Sequence, residues 1–438
     1  ADFYEKELSF QVSCSYGPGR YDSNYEEKGN DYPLAFVRWT EQRNFEAILD
    51  LMSAGQLNVK PLISHKYSFD DASMAYSVLT EERSALGILL EYAGSPDGRH
   101  ISSLKLNHSV VYKNAQPVVG FIGAGNYASR VLIPAFKKAG AQLHTISTSG
   151  GINGVIHGKK SGFSVATTDT QSMIENSKIN TISIVTQHNS HAHFVAQSLR
   201  AGKNVFVEKP LAIDKKQLEQ VEEAYQAAID SGVTPKLMVG FNRRFAPQIQ
   251  KMKQLLSTVK EPKSFIMTMN AGAIPSDHWT QDINVGGGRI IGEACHFIDL
   301  MRYLAGNEII SVQARRMGDA NGVDITEDKA AIVLGFSDGS FGTIHYYANG
   351  AASFPKERIE VFAAGGVLQL DNFRKLKGFG WKGFNKYNLW SQDKGQNQCA
   401  ELFLKSISEG VASPIDFSEI IEVAKVSIEV AEQLRIQK

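Results

Sequence analysis

The residues able to do chemistry concentrate in short stretches. The run VFVEKPLA (205–212) carries an apolar strand straight into Glu208, Lys209 and Pro210. A lysine at such a strand end can hydrogen-bond a substrate hydroxyl, and its neighbours can shift its proton affinity. Pro210 restricts Lys209 to an extended backbone and is open to a cis bond. A solvated lysine after a strand is the plainer reading of the same residue. The run GAGNYA (123–128) fits GxGxxA. Gly123 allows a tight turn, Gly125 lets the backbone approach a pyrophosphate, and Asn126 and Tyr127 open a helix whose N-terminus favours an anion. The run TQHNSHA (186–192) gathers Thr186, Gln187, His188 and His191 after another apolar strand. That is where open α/β sheets bind ligands, although the loop also reads as a helix cap made by Asn189 or Ser190.

These stretches need a parallel sheet to hold them. Strands are expected at 118–122, 143–147, 181–185 and 204–207, alternating with helices through 138 and at 170–176 and 191–201. Asp214 followed by Gln217 marks the start of a further helix. At the end of the second strand stand Ser147 and Thr148, where an acid usually grips the ribose. No carboxylate is there to repel a 2′-phosphate, and Lys159 and Lys160 are the nearest cations, so NAD or NADP is expected. Beyond about 240 the pattern changes to alternating strands with segregated helices at 292–304 and 417–434. The expected fold class is α/β: a Rossmann parallel-sheet domain (117–240), then an α+β domain with a mostly antiparallel open sheet (241–438), whose C-terminal helix packs back on the first. Before them lie a small incomplete α/β segment (1–95), with helices at 41–52 and 71–79, an extended stretch at 57–63 and a strand at 85–92, and a turn-rich linker (96–116).

Composition narrows the function classes. The 438 residues carry 46 basic and 46 acidic side chains, which points to no nucleic-acid or anionic-membrane partner. No apolar run approaches the roughly 20 residues of a membrane span. Cys14, Cys295 and Cys399 are far apart, giving neither a disulfide framework nor a zinc set, so no metal is expected and a reducing cytoplasm is.

GFIGAGNYA, TQHNSHA, VFVEKPLA, GFNRRFAP and GGGRIIGEACHFIDL occur in an order and spacing that resemble the glucose–fructose oxidoreductase/inositol dehydrogenase (Gfo/Idh/MocA) family, from about Pro117 to the C-terminus. The resemblance implies a catalytic Lys209 beside the nicotinamide and the reacting sugar carbon, and His296 as its proton-transfer partner. The family's aspartate falls on Gly292 here, and Glu293 is the nearest carboxylate, placed to orient His296, to touch substrate, or to be a solvated helix-start acid. Asn242, Arg243, Trp279 and Arg289 are the implied substrate contacts, with Asp277 and His278 nearby; one of Arg243 and Arg244 is expected to form a structural salt bridge. A homo-oligomer, dimer or tetramer, built on the open sheet is also implied.

Residues 1–95 separately resemble the last part of a zinc-type medium-chain alcohol dehydrogenase, through SYGPGRYD, the stretch from YPLAFVRWTEQ to DDASMAY, and ALGILLEY. Fusions of that kind accompany bacterial surface-polysaccharide genes. On this reading the chain is a truncation or fragment whose alcohol-dehydrogenase chemistry is missing. The expected activity is hydride transfer between a nicotinamide and a secondary alcohol of a sugar, cyclitol or nucleotide-sugar. A cofactor-retaining lyase or glycosidase cycle and a non-catalytic dinucleotide-binding regulator are the rivals. Net formation of reduced cofactor separates the first from both.

Overall fold

Residues 2–8, 12, 16–93, 101–106, 112, 116–318, 321–322 and 325–437 are described by the structure, a computed structural model. Cys14 and the turn-rich GSPDGRH run at 94–100 lie outside the described residues. The chain divides into two units, Ala1–His100 and Ile101–Lys438. The first holds α1 (Asp2–Glu5), α2 (Ser23–Glu26), α3 (Glu41–Ser53), β1 (Ile63–Ser68), α4 (Ala72–Glu81) and β2 (Gly87–Glu91). β1 and β2 pair in parallel with α4 between them. The stretch expected to be extended at 57–63 instead makes a 3₁₀ turn at Lys60–Leu62, with Pro61 fixed in its first turn, and β1 starts only at Ile63. The helix expected at 41–52 is present, yet none of its residues is buried.

In the second unit, apolar strands become the centre of a doubly covered sheet. The strands are β3 (Ser103–Lys105), β4 (Val118–Ile122), β5 (Gln142–Ser147), β6 (Val165–Thr167), β7 (Thr181–Ile184), β8 (Asn204–Val207) and β9 (Leu237–Val239). Their order is β3-β6-β5-β4-β7-β8-β9, all parallel except the β3–β6 pair. Every residue of β4 and β7 is buried, as expected for strands sandwiched between helices. The crossovers are α5 (Ile133–Lys138), α6 (Ile152–Ser161), α7 (Thr170–Glu175), α8 (His191–Arg200) and α9 (Lys215–Asp230). Asp214 caps α9 by accepting from the Gln217 amide, while the Gln217 side chain reaches back to the Ile213 amide, one residue short of the cap. Several elements depart from the sequence reading. Leu104 and its neighbours, expected in a linker, form the antiparallel edge strand β3. α6 and β6 were not anticipated, because α6 carries two glycines that blur its apolar periodicity.

Beyond α10 (Pro247–Leu256) come β10 (Ser264–Asn270), α11 (Cys295–Ala305), β11 (Ile309–Arg316), β12 (Lys329–Phe336), β13 (Phe341–Tyr347), β14 (Glu357–Ala363), β15 (Gly366–Asp371), β16 (Lys375–Phe379) and β17 (Lys386–Asn388). They form one sheet in the order β11-β12-β13-β10-β14-β15-β16-β17. It is antiparallel apart from the central β10–β13 pair. Burial alternates along β10 and β13, so one face packs on the core while Ile266, Phe341 and Tyr347 remain exposed on the other. α12 (Gln396–Glu409) and α13 (Phe417–Arg435) tie the two sheets together. Phe403 of α12 packs against Phe136 and Phe206, and Phe417 of α13 stacks on Tyr225 with ring centroids 3.7 Å apart. Helical turns of the wide, π type precede α5 at Ala128–Leu132 and α11 at Ile290–Ala294, both beside the site described next.

Candidate active site

The carboxyl ends of β4, β5, β7 and β8 open into a cleft of about 1610 Å³, closed on its far side by the start of α11 and by loops of the second sheet. The eighteen positions expected to bind cofactor or substrate or to act in catalysis, from Gly123 to His296, line it.

One end is built from backbone and hydroxyls. Gly123 has φ +103°, and a Cβ there would lie 2.4 Å from the Val185 carbonyl oxygen, so only glycine fits. At Gly125 a Cβ would meet nothing within 4 Å, leaving open space over the helix start. An exposed backbone turn with room above it, at the N-terminus of a helix, is a cradle for a pyrophosphate. Ser147 is fully buried and its hydroxyl pairs with Thr170 at 2.7 Å, while the buried Thr148 hydroxyl has no partner. Lys159 and Lys160 sit in the last turn of α6 and do not line the cleft. Among the described residues, positions 122–128, 147–153, 168 and 170 bring no charged side chain to this end.

The other end is dense with charge. The Lys209–Pro210 peptide is cis, and the Lys209 ammonium donates to the carbonyl of Gly292. One turn later on the same helix stands His296, 5% exposed, its Nδ1 without a hydrogen-bond partner. Burial, reinforced by Arg243, Lys209, Lys394 and Lys356, pushes this imidazole's proton affinity well below the usual range, so the ring is neutral. Burial and Lys209 likewise bring His188 down to about 3. Its Nδ1 lies 2.7 Å from the Gly286 carbonyl, so that nitrogen carries the proton of the neutral ring, which packs edge-on against Trp279. His188 also explains Gly292: a Cβ at 292 would come within 2.9 Å of the imidazole Cε1. The space for a side chain at the aspartate position is filled by this histidine.

Several expected roles change in the structure. His191 is fully buried between two carbonyls, Nδ1 2.7 Å from that of Pro210 and Nε2 3.0 Å from that of Thr186, so the single N–H of its neutral ring bonds one of them and neither nitrogen is presented to a ligand. Burial brings it down to about 4. Glu293 neither solvates nor orients His296. Its carboxylate takes the Arg289 guanidinium at 2.7 Å, the Tyr346 hydroxyl at 2.6 Å and the Lys356 ammonium at 3.0 Å. Burial alone would raise it, but Lys356, Tyr346 and Arg289 outweigh burial and hold it at about 2. Arg289 also donates to the Gly272 and Ala271 carbonyls. Both arginines of the 242–244 run are paired, not one: Arg243 with Glu357 at 2.6 Å, Arg244 with Asp299 and, at 2.9 Å, Glu419. Asn242 donates to the Lys394 carbonyl and so fixes that loop. Glu208 is buried against Gly240 and is raised by burial to about 7 despite Lys209. Asp277 and His278 are exposed and do not line the cleft. Sequence reasoning missed Lys356, Lys394 and Tyr346, whose partners come from more than 30 positions away along the chain.

Residues 118–241 match the family model described as "Oxidoreductase family, NAD-binding Rossmann fold", and 249–369 match the "GFO/IDH/MocA C-terminal domain". The chain is 29% identical over 227 residues to a myo-inositol 2-dehydrogenase of Thermotoga maritima, covering 50% of this chain and 64% of that one. It is 28% identical over 208 residues to an inositol 2-dehydrogenase of Rhizobium meliloti, covering 45% and 59%. The chain thus spans about three fifths of the length of the curated relatives it matches. Among solved structures, a levoglucosan dehydrogenase in complex with NADH and levoglucosan superposes with a TM-score of 0.64 at 22% identity. The match covers 73% of this chain and 97% of that one, and it speaks for the fold.

Proposed function

The chain belongs to the GFO/IDH/MocA oxidoreductase family, and on that premise we propose that it transfers a hydride between NAD and a secondary alcohol carbon of a sugar, cyclitol or nucleotide-sugar. The observation that carries the reading is the meeting of Lys209 and His296. The lysine is anchored on the main chain of the helix that carries the histidine, and both face the cleft into which the Gly123–Tyr127 turn opens. That turn would hold the pyrophosphate, the Ser147–Thr148 loop the adenosine ribose, and the Thr186–His188 loop with Glu208 the nicotinamide half. The absence of a cation at the ribose end among the described residues favours NAD over NADP. When bound, the dinucleotide supplies the ring carbon that takes or gives the hydride.

The protein's own work is positioning and one proton. The Lys209 ammonium donates to the reacting oxygen and stabilises its growing negative charge. A neutral His296 accepts the hydroxyl proton during oxidation and returns it during reduction. Arg243, Trp279 and Arg289 shape the substrate wall. The exposed sheet face with Ile266, Phe341 and Tyr347 is the surface through which copies of the chain would associate. Residues 1–95 we read as alcohol-dehydrogenase-like; among the described residues no group of three or more histidines, cysteines or carboxylates is placed to hold a metal.

Incubation with NAD and a panel of myo-inositol, levoglucosan, hexoses and nucleotide-sugars, followed by absorbance of NADH, tests the reading. Lys209→Ala should lower turnover at least about a hundredfold while NADH still binds. Normal turnover in that variant would end the assignment, and product without net NADH would favour the redox-cycling lyase.

A further inference from the structure

The whole chain is electrically balanced, yet one end of the cleft is not. Lys209, Arg243, Arg289, Lys356 and Lys394 line it, and the carboxylates facing them are Glu208, Glu293 and Glu357. The pairing is uneven. Arg243 and Lys394, at 2.6 and 2.9 Å, share the single carboxylate of Glu357. Arg289 and Lys356, at 2.7 and 3.0 Å, share that of Glu293. Each cluster therefore keeps one uncompensated positive charge. Lys209 leans on a neutral carbonyl, and its neighbour Glu208 is half protonated near neutral pH. Lys356, just before β14, and Glu357, its first residue, are successive in the chain, so this one dipeptide feeds both clusters.

Surplus charge in a concave, half-buried site raises the free energy unless a counter-charge arrives. The pyrophosphate of a dinucleotide does not supply it, because its cradle is at the uncharged end. We propose that the substrate is an anionic sugar, whose carboxylate or phosphate seats against Lys356 and Lys394 while a hydroxyl carbon lies at Lys209 and His296. This rests on the reading of that end as the substrate end. Lys356 keeps 44% of its side chain exposed and Lys394 17%, so both ammonium groups reach a ligand without leaving their ion pairs. Seating an anion there also offsets the share of the His296 shift that Lys394 and Lys356 add to burial.

The test is calorimetric titration of the NADH-loaded protein with D-glucuronate, glucose 1-phosphate and UDP-glucuronate against myo-inositol and glucose. At least one anion should bind tenfold or more tightly than both neutral compounds, and D-glucuronate against glucose 1-phosphate tells carboxylate from phosphate. Lys356→Gln and Lys394→Gln should each cut that preference at least threefold, with NADH affinity and melting temperature held. Raising ionic strength from 0.05 to about 0.5 M should erode it further. If no anion outdoes myo-inositol, or if both lysine variants keep the full preference, the proposal falls. Hydride transfer to a neutral polyol in that case would leave the proposed function standing. Tight anion binding without any hydride transfer would do the reverse.

Discussion

The two ends of one cleft solve different recognition problems. At the Gly123 end the chain offers main-chain groups, serines and threonines, and no charged side chain among the described residues. At the Lys209 end five cations crowd around three carboxylates and three histidines that stay neutral. A ligand part that is constant can be held by backbone geometry, which depends on φ and close approach. A ligand part that varies between related proteins is read by side chains, which substitution can change. The first kind of site breaks by steric insult, the second by a change of charge.

The largest effect expected is therefore steric. Gly123→Ala combines a forbidden φ with a Cβ 2.4 Å from a carbonyl oxygen. It should cost about 2–4 kcal/mol of stability and abolish measurable NADH binding, read by thermal unfolding and fluorescence titration. An alanine variant that binds NADH normally would show that this end does not depend on its backbone turn.

Acid probes the charged end. The unfolded chain protonates its histidines near pH 6.5, whereas folded His191 and His188 wait until about 4 and about 3. Their folded affinities are lowered, so each costs stability as pH falls from about 6.5, at about 1.4 kcal/mol per unit. His296, facing Arg243, Lys209, Lys394 and Lys356, adds to the loss. Glu208 acts oppositely: raised to about 7, its contribution is present below about 4.5 and lost as pH rises toward 7. Asp299, raised by burial to about 6, acts as Glu208 does, and His144, lowered by burial, joins the other imidazoles. Four imidazoles against two carboxyls give a net fall on acidification from pH 6.5 to 4.5. Urea unfolding across that range should show it, and His188→Asn should flatten the slope by one proton's worth. An unchanged slope would mean that His188 already carries its proton in the fold.

The smallest effect is a sharpening of the neutral end. Ser149→Arg places a cation where the ribose end has none. It should improve NADPH relative to NADH by about fivefold, worth about 1 kcal/mol, read as a ratio of dissociation constants. No change in that ratio would mean that the ribose does not lie there.

Local pattern carried a large part of this architecture. The strand before Gly123, the apolar run into Lys209 and the helix with His296 could each be read from a few consecutive residues. So could the switch to an alternating, half-buried sheet. What stayed hidden depends on distance along the chain. Nothing near Glu293 tells that Tyr346 and Lys356 will close on it, or near Arg243 that Glu357 lies 114 positions ahead. Lys356 and Lys394 sit in turns, where a lysine reads as solvated. α12 was legible in principle: Cys399, Ala400, Phe403 and Leu404 form a helical stripe, and all are buried. It went unread because that stripe follows a loop rich in Gly, Asn and Lys.

The bond from Lys209 to the carbonyl of Gly292 has one more consequence. A main-chain oxygen belongs to no codon, so no replacement of residue 292 can delete this partner in the way that Asp→Asn deletes a carboxylate. What substitution can alter is the room around it, and that room is taken by His188. The heritable control over where the lysine points has therefore passed to a residue more than a hundred positions upstream of the atom that holds it. A side chain at 292 therefore needs a smaller or shifted residue at 188 before it can fit.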